Sequence, residues 1–135
     1  VLAGREDSKC VMMIIDLDYF KAVNDNHGHM AGDEVLLSFS QHLSSVVRKK
    51  DIVARFGGDE FVLLLLDVTG IDIGKQKADE ILRLHDNDYG VTKSIGMSLF
   101  PDMGRSYDEL FRKADKALYQ AKQKRNTYRV FGDNE

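Results

Sequence analysis

The chain has 135 residues and a formal net charge of −3, with 43% hydrophobic and 30% charged residues and a single proline. That is the size and make-up of one ordinary globular domain with a real core, and it excludes a disordered or low-complexity linker. The mild negative charge argues against wholesale binding to nucleic acid or to an anionic membrane. The longest apolar run, Phe61 to Leu66, is too short to cross a bilayer. No signal peptide is read at the start and the lone Cys10 can form no internal disulfide, so a cytoplasmic setting is expected for this domain, whatever membrane anchor the full-length protein carries.

No repeat or linker divides the chain, so residues 1–135 are read as a single domain. Cys10 to Ile15 is an apolar run ending in Asp16, the pattern of a buried strand. Asp18 can cap a short helix reaching about Asn26, and Gly28 to Gly32 reads as a turn. From Asp33, apolar residues Val35, Leu36, Phe39, Leu43, Val46 and Val47 recur at spacings of three and four, an amphipathic helix. Arg48, Lys49 and Lys50 then complement its negative end. Ile52 to Phe56 and Phe61 to Leu66 flank Gly57-Gly58, a hairpin signal. A helix over Gly74 to Leu84 follows, then a strand over Val91 to Phe100 that Pro101 ends, with Lys93 expected on its solvent side. Ser106 with Glu109 three residues on opens a helix through Lys124 as a capping box, and Thr127 to Phe131 is a final strand. The order β-α-α-β-β-α-β-α-β predicts an α/β (α+β) fold with a central, mainly antiparallel sheet flanked by helices, and not a doubly wound parallel one.

Two acidic stretches carry the chemistry. A carboxylate at the end of a buried strand, as Asp16 is, is costly unless it is paired or binds a cation. Asp59-Glu60 follows two glycines in the hairpin. Each stretch alone also fits local hydrogen bonding or capping. Together, on neighbouring strands, they could converge on magnesium, which takes one or two carboxylates plus substrate phosphates. Gly57 and Gly58 would let a nucleotide approach the backbone. Metal-assisted phosphoryl or nucleotidyl transfer is the matching reaction class. Between Arg112 and Arg129 stand seven basic residues against one acid, Asp115, either a solvated helix face or a phosphate-binding segment.

Five ordered blocks resemble the GGDEF domain family of diguanylate cyclases. Asp16 to Asp25 is similar to D-[IL]-D-x-F-K-x-[IV]-N-D, Gly28 to Asp33 to G-H-x-x-G-D, and Arg55 to Phe61 to R-[FY]-G-G-[DE]-E-F. Thr92 to Gly96 resembles T-x-S-I-G, and Ala114 to Lys122 resembles A-D-x-A-L-Y-x-A-K. The resemblance implies a nucleotidyl-cyclase, polymerase-palm-like fold that condenses two GTP into cyclic di-GMP, a bacterial second messenger, plus pyrophosphate. It implies Mg2+ (Mn2+ possible) on Asp16, the Leu17 carbonyl, Asp59 and Glu60, with Asp59 or Glu60 catalytic in deprotonating the 3′-hydroxyl. Asn24 and Asp33 would read guanine, where the residues alone also allow a helix C-cap and N-cap. Lys21 and Lys122 would contact the triphosphate, beside Gly57 and Gly58. His29 is expected to tether its turn by hydrogen bonding.

Arg48-Lys49-Lys50-Asp51 matches R-x-x-D, where family members carry an inhibitory product site; a helix-end salt bridge is the other reading. The resemblance further implies a homodimer of half-sites and an upstream sensory domain, with no nucleic acid and no membrane contact by the domain itself. The alternative is a silent module that binds GTP or cyclic di-GMP to regulate an attached partner domain. Three departures stand out. The family's opening D-x-L-T-G-L-x-N-R segment and helix are not seen in Val1 to Lys9, so the chain reads as N-terminally incomplete. A glycine is missing between Lys122 and Asn126, which leaves a triphosphate role for Arg125 open. The stretch from His85 to Gly90 is short, as if a peripheral strand pair were trimmed.

Overall fold

A computed structural model describes residues 8–133; the expectation of a missing N-terminal helix lies almost wholly outside them. The element order is that expected from sequence: β1 (Lys9–Leu17), α1 (Phe20–His27), α2 (His29–Val46), β2 (Ile52–Arg55), β3 (Glu60–Val68), α3 (Ile71–Leu82), β4 (Lys93–Phe100), α4 (Tyr107–Lys124) and β5 (Thr127–Val130). The five strands form one sheet in the order β2-β3-β1-β4-β5. All pairings are antiparallel except β4 with β5, which is parallel.

Strand β1 lies in the middle and is covered on both faces. Because side chains alternate along a strand, Val11, Met13, Ile15 and Leu17 face one layer, with α2 residues Val35, Phe39 and Leu43 and α3 residues Ala78 and Ile81 in the same core. Met12 and Ile14 face the other, where α4 supplies Leu110, Ala114 and Leu118. Small residues let α4 come close: a Cβ on Gly96 would stand 2.2 Å from the backbone N of Leu118 and 2.3 Å from the Ala114 carbonyl. The glycine is thus required for contact between α4 and β4. Cys10 is buried as expected, and burial pushes its thiol up to about 11. Among the described residues no helix is long and apolar enough to cross a membrane.

Several local expectations are corrected. Asp18 does not cap α1; the cap position is Tyr19 in a left-handed conformation, φ 57°, with no side-chain cap. Gly28 alone (φ 90°) separates α1 from α2, which starts at His29, so Asp33 is inside the helix. His29 is exposed and its ring makes no hydrogen bond among the described residues. Helix α2 ends at Val46, ahead of Arg48. Helix α3 starts three residues earlier than its glycine suggested, and Gly74 packs inside it against Met97 and Val11. Between α3 and β4 the described residues hold no strand, in line with the trimmed periphery. Ser106 does cap α4, accepting from the Glu109 N–H, while the Glu109 carboxylate reaches back to Arg105 N.

Lys93 is the clearest correction. It is 2% exposed, because β4 is covered on both faces and has no solvent side. Its ammonium donates to Asp86 Oδ1 at 2.7 Å and to the Leu84 carbonyl at 3.3 Å, and lies 5.5 Å from the Phe39 ring centroid. Ser38 Oγ donates to the Asp86 carbonyl, so the pair ties the 83–92 segment to α2 as well. Removing one member of a buried ion pair strands the other and costs about 3–5 kcal/mol, whereas replacing both by apolar groups is often near neutral. Lys93→Ala should therefore lose about that much in urea unfolding, and Lys93→Met with Asp86→Leu should regain most of it.

Candidate active site

Asp16 near the end of β1 and Asp18, one residue past it, are two apart and lie on the α4 side, Asp16 with Lys122 and Asp18 with Arg125 and Asn126. Asp16 is 8% exposed. Its Oδ2 pairs with the Lys122 ammonium from the last turn of α4, while Oδ1 is buried without a hydrogen-bond partner among the described residues. Across the β1–β3 ladder Asp16 stands directly opposite Glu60, and Leu17 N donates to the Asp59 carbonyl at 3.2 Å. The two acidic stretches that the sequence separates by over forty residues thus meet at one strand end. Burial and then the neighbouring Asp59 raise the Asp16 carboxyl, against which Lys122 pulls down. Burial and the charges of Asp16, Asp115 and Asp59 raise Glu60.

Crowded carboxylates, one with an orphaned oxygen, are the donor chemistry of a hard divalent cation. Among the described residues no three His, Cys, Asp or Glu side chains form a ready-made cage, which suits an ion completed by substrate phosphates. The hairpin beside them is stiff. Arg55 donates Nε and Nη2 to the Gly58 carbonyl at 3.0 and 2.8 Å, and Phe56 N donates to the Glu60 carbonyl at 2.6 Å. Gly57 has φ 83°, and a Cβ on either glycine would meet nothing within 4 Å. The glycines therefore serve the turn and an open outer surface rather than internal packing.

A third glycine seats Asn24 against α2. A Cβ on Gly32 would stand 1.9 Å from Asn24 Oδ1 and 3.2 Å from Phe20 Cζ, so only glycine lets the amide lie against α2; Asp33, the next residue of that helix, is exposed. Lys21 is exposed, with its ammonium on Asp25 at 3.0 Å one turn along α1. Sequence reasoning missed the group around Asp18. Its carboxylate is buried and takes Thr92 Oγ1, Ser94 Oγ and Asn126 N, with Arg125 beside it. The i, i+2 spacing from Asp16 was the available signal for a position under α4.

A family model described as diguanylate cyclase, GGDEF domain, matches residues 2–127. The chain belongs to the GGDEF family. It is 37% identical over 136 residues to the bifunctional diguanylate cyclase/cyclic di-GMP phosphodiesterase MucR of Pseudomonas aeruginosa, covering 96% of this chain and 20% of that protein. The chain thus spans about a fifth of that relative's length. The GGDEF domain of YfiN (TpbB) from Pseudomonas aeruginosa superposes with a TM-score of 0.87 at 33% identity, covering 96% of this chain and 86% of that one. The active GGEEF domain of a diguanylate cyclase from Vibrio cholerae gives 0.84 at 27% identity, covering 94% and 85%. These neighbours carry the cyclase palm-like fold expected from the sequence.

On the far side of this GGDEF domain, Arg48 and Asp51 are engaged with each other. Arg48 Nη2 and Nε donate to Asp51 Oδ1 and Oδ2 at 2.8 and 3.2 Å. Backbone N–H groups of Arg48 and Leu66 complete the carboxylate at 2.9 and 3.2 Å. The Asp51 side chain is 1% exposed and that of Arg48 47%, so Arg48 is the more accessible of the two; both line a cavity of about 240 Å³ with Gln76, Lys77 and Glu80. Burial raises the Asp51 carboxyl, but the Arg48 and backbone hydrogen bonds outweigh it and hold the group below its ordinary value. A depressed folded-state value gives stability that is present above the unfolded value, about pH 4, and lost as pH falls through the folded one. The stability gap between wild type and Asp51→Asn should therefore be full at pH 7 and close below about pH 4 in chemical denaturation.

Proposed function

We propose that the chain is a diguanylate cyclase domain that condenses two GTP into cyclic di-GMP and pyrophosphate. The observation that carries the reading is the juxtaposition of Asp16 with Glu60 and Asp59 at one strand end, with an orphaned oxygen on Asp16 and Lys122 beside it. Magnesium, or manganese in its place, held by Asp16, the Leu17 carbonyl, Asp59 and Glu60, would supply the charge that neutralises triphosphate and leaving pyrophosphate. Asn24 and Asp33 bind the guanine edge, an amide that donates and accepts beside a carboxylate that accepts from N1–H and the 2-amino group. Lys122, with Lys21 from the outer face of α1, meets the triphosphate as a point charge. The open surface over Gly57 and Gly58 leaves room for the ribose and phosphates.

Asp59 or Glu60 takes the 3′-hydroxyl proton. The 3′-oxygen forms a bond to the α-phosphorus of the other GTP as the bond to pyrophosphate breaks. One domain holds one GTP, so two copies face each other as half-sites and the exchange occurs twice. Product feedback acts through Arg48, the exposed member of the Arg48–Asp51 pair. Input comes from an upstream sensory domain, and the domain works in the cytoplasm.

The test is product analysis with GTP and Mg2+ on wild type and Asp59→Ala over a range of protein concentrations. Wild type should yield the cyclic dinucleotide with specific activity rising with concentration. Asp59→Ala should lose more than about a hundredfold, beyond the loss expected for an outer-shell partner. Full activity in the variant would remove Asp59 from the site, and GTP binding without turnover by the full-length wild type would favour the silent regulatory module.

A further inference from the structure

The Asp18 carboxylate, with a side chain 0% exposed, is satisfied on every side. Thr92 Oγ1 and Ser94 Oγ donate at 2.6 and 2.7 Å from β4 and the residue before it. Asn126 N donates at 3.1 Å, and the Arg125 guanidinium stands 3.5 Å away. The last two come from the α4–β5 junction, where the chain lacks a glycine it would be expected to use. Arg125 and Asn126 are consecutive non-glycine residues at φ 67° and 50°. Such residues do not hold that conformation by preference, and persist where surrounding contacts over-determine them. Those contacts are here: Asp18, the Tyr19 ring 4.2 Å from the Arg125 guanidinium carbon, and the Arg125 N–H on the Ala121 carbonyl at 2.7 Å.

One turn before Arg125 is Lys122, paired with Asp16. The end of α4 is therefore fastened to the end of β1 at two adjacent points on the same strand face. Asp16 keeps an oxygen without a hydrogen-bond partner among the described residues, and Asp18 is the fully engaged point.

We propose that Asp18 is a positioning residue, which fixes the last turn of α4 and so sets the Lys122 ammonium where it meets the triphosphate. This rests on the GTP reading of Lys122 given above and adds a group that touches no substrate. The guanine side is held elsewhere, by Asn24 against Gly32. Loss of Asp18 should thus act on the phosphate end alone, whereas a merely structural role would weaken both ends. Asp18→Asn suits the test: its amide keeps the shape but turns an N–H₂ group or a weaker acceptor toward the Asn126 N–H and Arg125.

The experiment is NMR titration, in the presence of Mg2+, of a non-hydrolysable GTP analogue and of guanosine. The proteins are wild type, Asp18→Asn, Lys122→Ala and the double variant. Arg125→Ala, alone and with Lys122→Ala, gives a parallel cycle should Asp18→Asn not fold. Asp18→Asn should weaken the GTP analogue about tenfold, the loss of one charge-assisted contact, with guanosine unchanged. In the Lys122→Ala background it should add nothing. Equal losses for both ligands, no loss, or a loss that persists without Lys122 would each overturn the inference. If Lys122→Ala weakens the analogue and Asp18→Asn does not, only the positioning role falls. If Lys122→Ala itself has no effect, the triphosphate reading of Lys122 falls with it.

Discussion

The site depends on a single constraint: β1 is covered on both faces for nearly its whole length. Between Cys10 and Ile15 neither face can take a charge, since α4 lies over one and α2 and α3 over the other. Acids become tolerable only where the strand runs out, and there two appear, both on the α4 side. Their donors then divide their roles. Asp18 meets three hydrogen-bond donors and the Arg125 guanidinium. Asp16 meets one cation and keeps an oxygen with nothing to bind. The same register that buries Ile15 opposite Phe61 sets Asp16 opposite Glu60, so the core and the carboxylate cluster are products of one strand alignment.

Much of this was legible because it follows local pattern. The three-and-four spacing of α2, the glycine hairpin and the Ser106 cap each depend on residues close in sequence, and each is found. Asp16, Asp59 and Glu60 could be brought together on paper only by supposing that their strands are neighbours, which β1 and β3 are. The misreadings concern residues whose partners are remote. Asp18 looked like a helix cap because its true donors, Thr92 and Asn126, lie 74 and 108 positions away. Lys93 was assigned to solvent because a lone lysine in an apolar strand reads that way until helices are known to cover both faces. The sequence marked Gly32 as part of a motif, but its purpose appears only when α1 and α2 are docked and the Asn24 amide fills the space where a Cβ would be.

A common device links the two ends of the domain: at each, a cation that could serve an anionic ligand rests on an internal carboxylate, whereas Lys21 pairs with the exposed Asp25. Lys122 rests on Asp16 and Arg48 on Asp51. An anion drawing either cation away must leave its carboxylate content, or the cost of an unpaired buried charge opposes binding. The two carboxylates differ in this respect. Asp51 has two further donors, the backbone N–H groups of Arg48 and Leu66, although the Arg48 guanidinium also donates to the Leu66 carbonyl. Asp16 has no second donor among the described residues. Releasing Lys122 there would leave the Asp16 carboxylate without a partner unless another cation took its place.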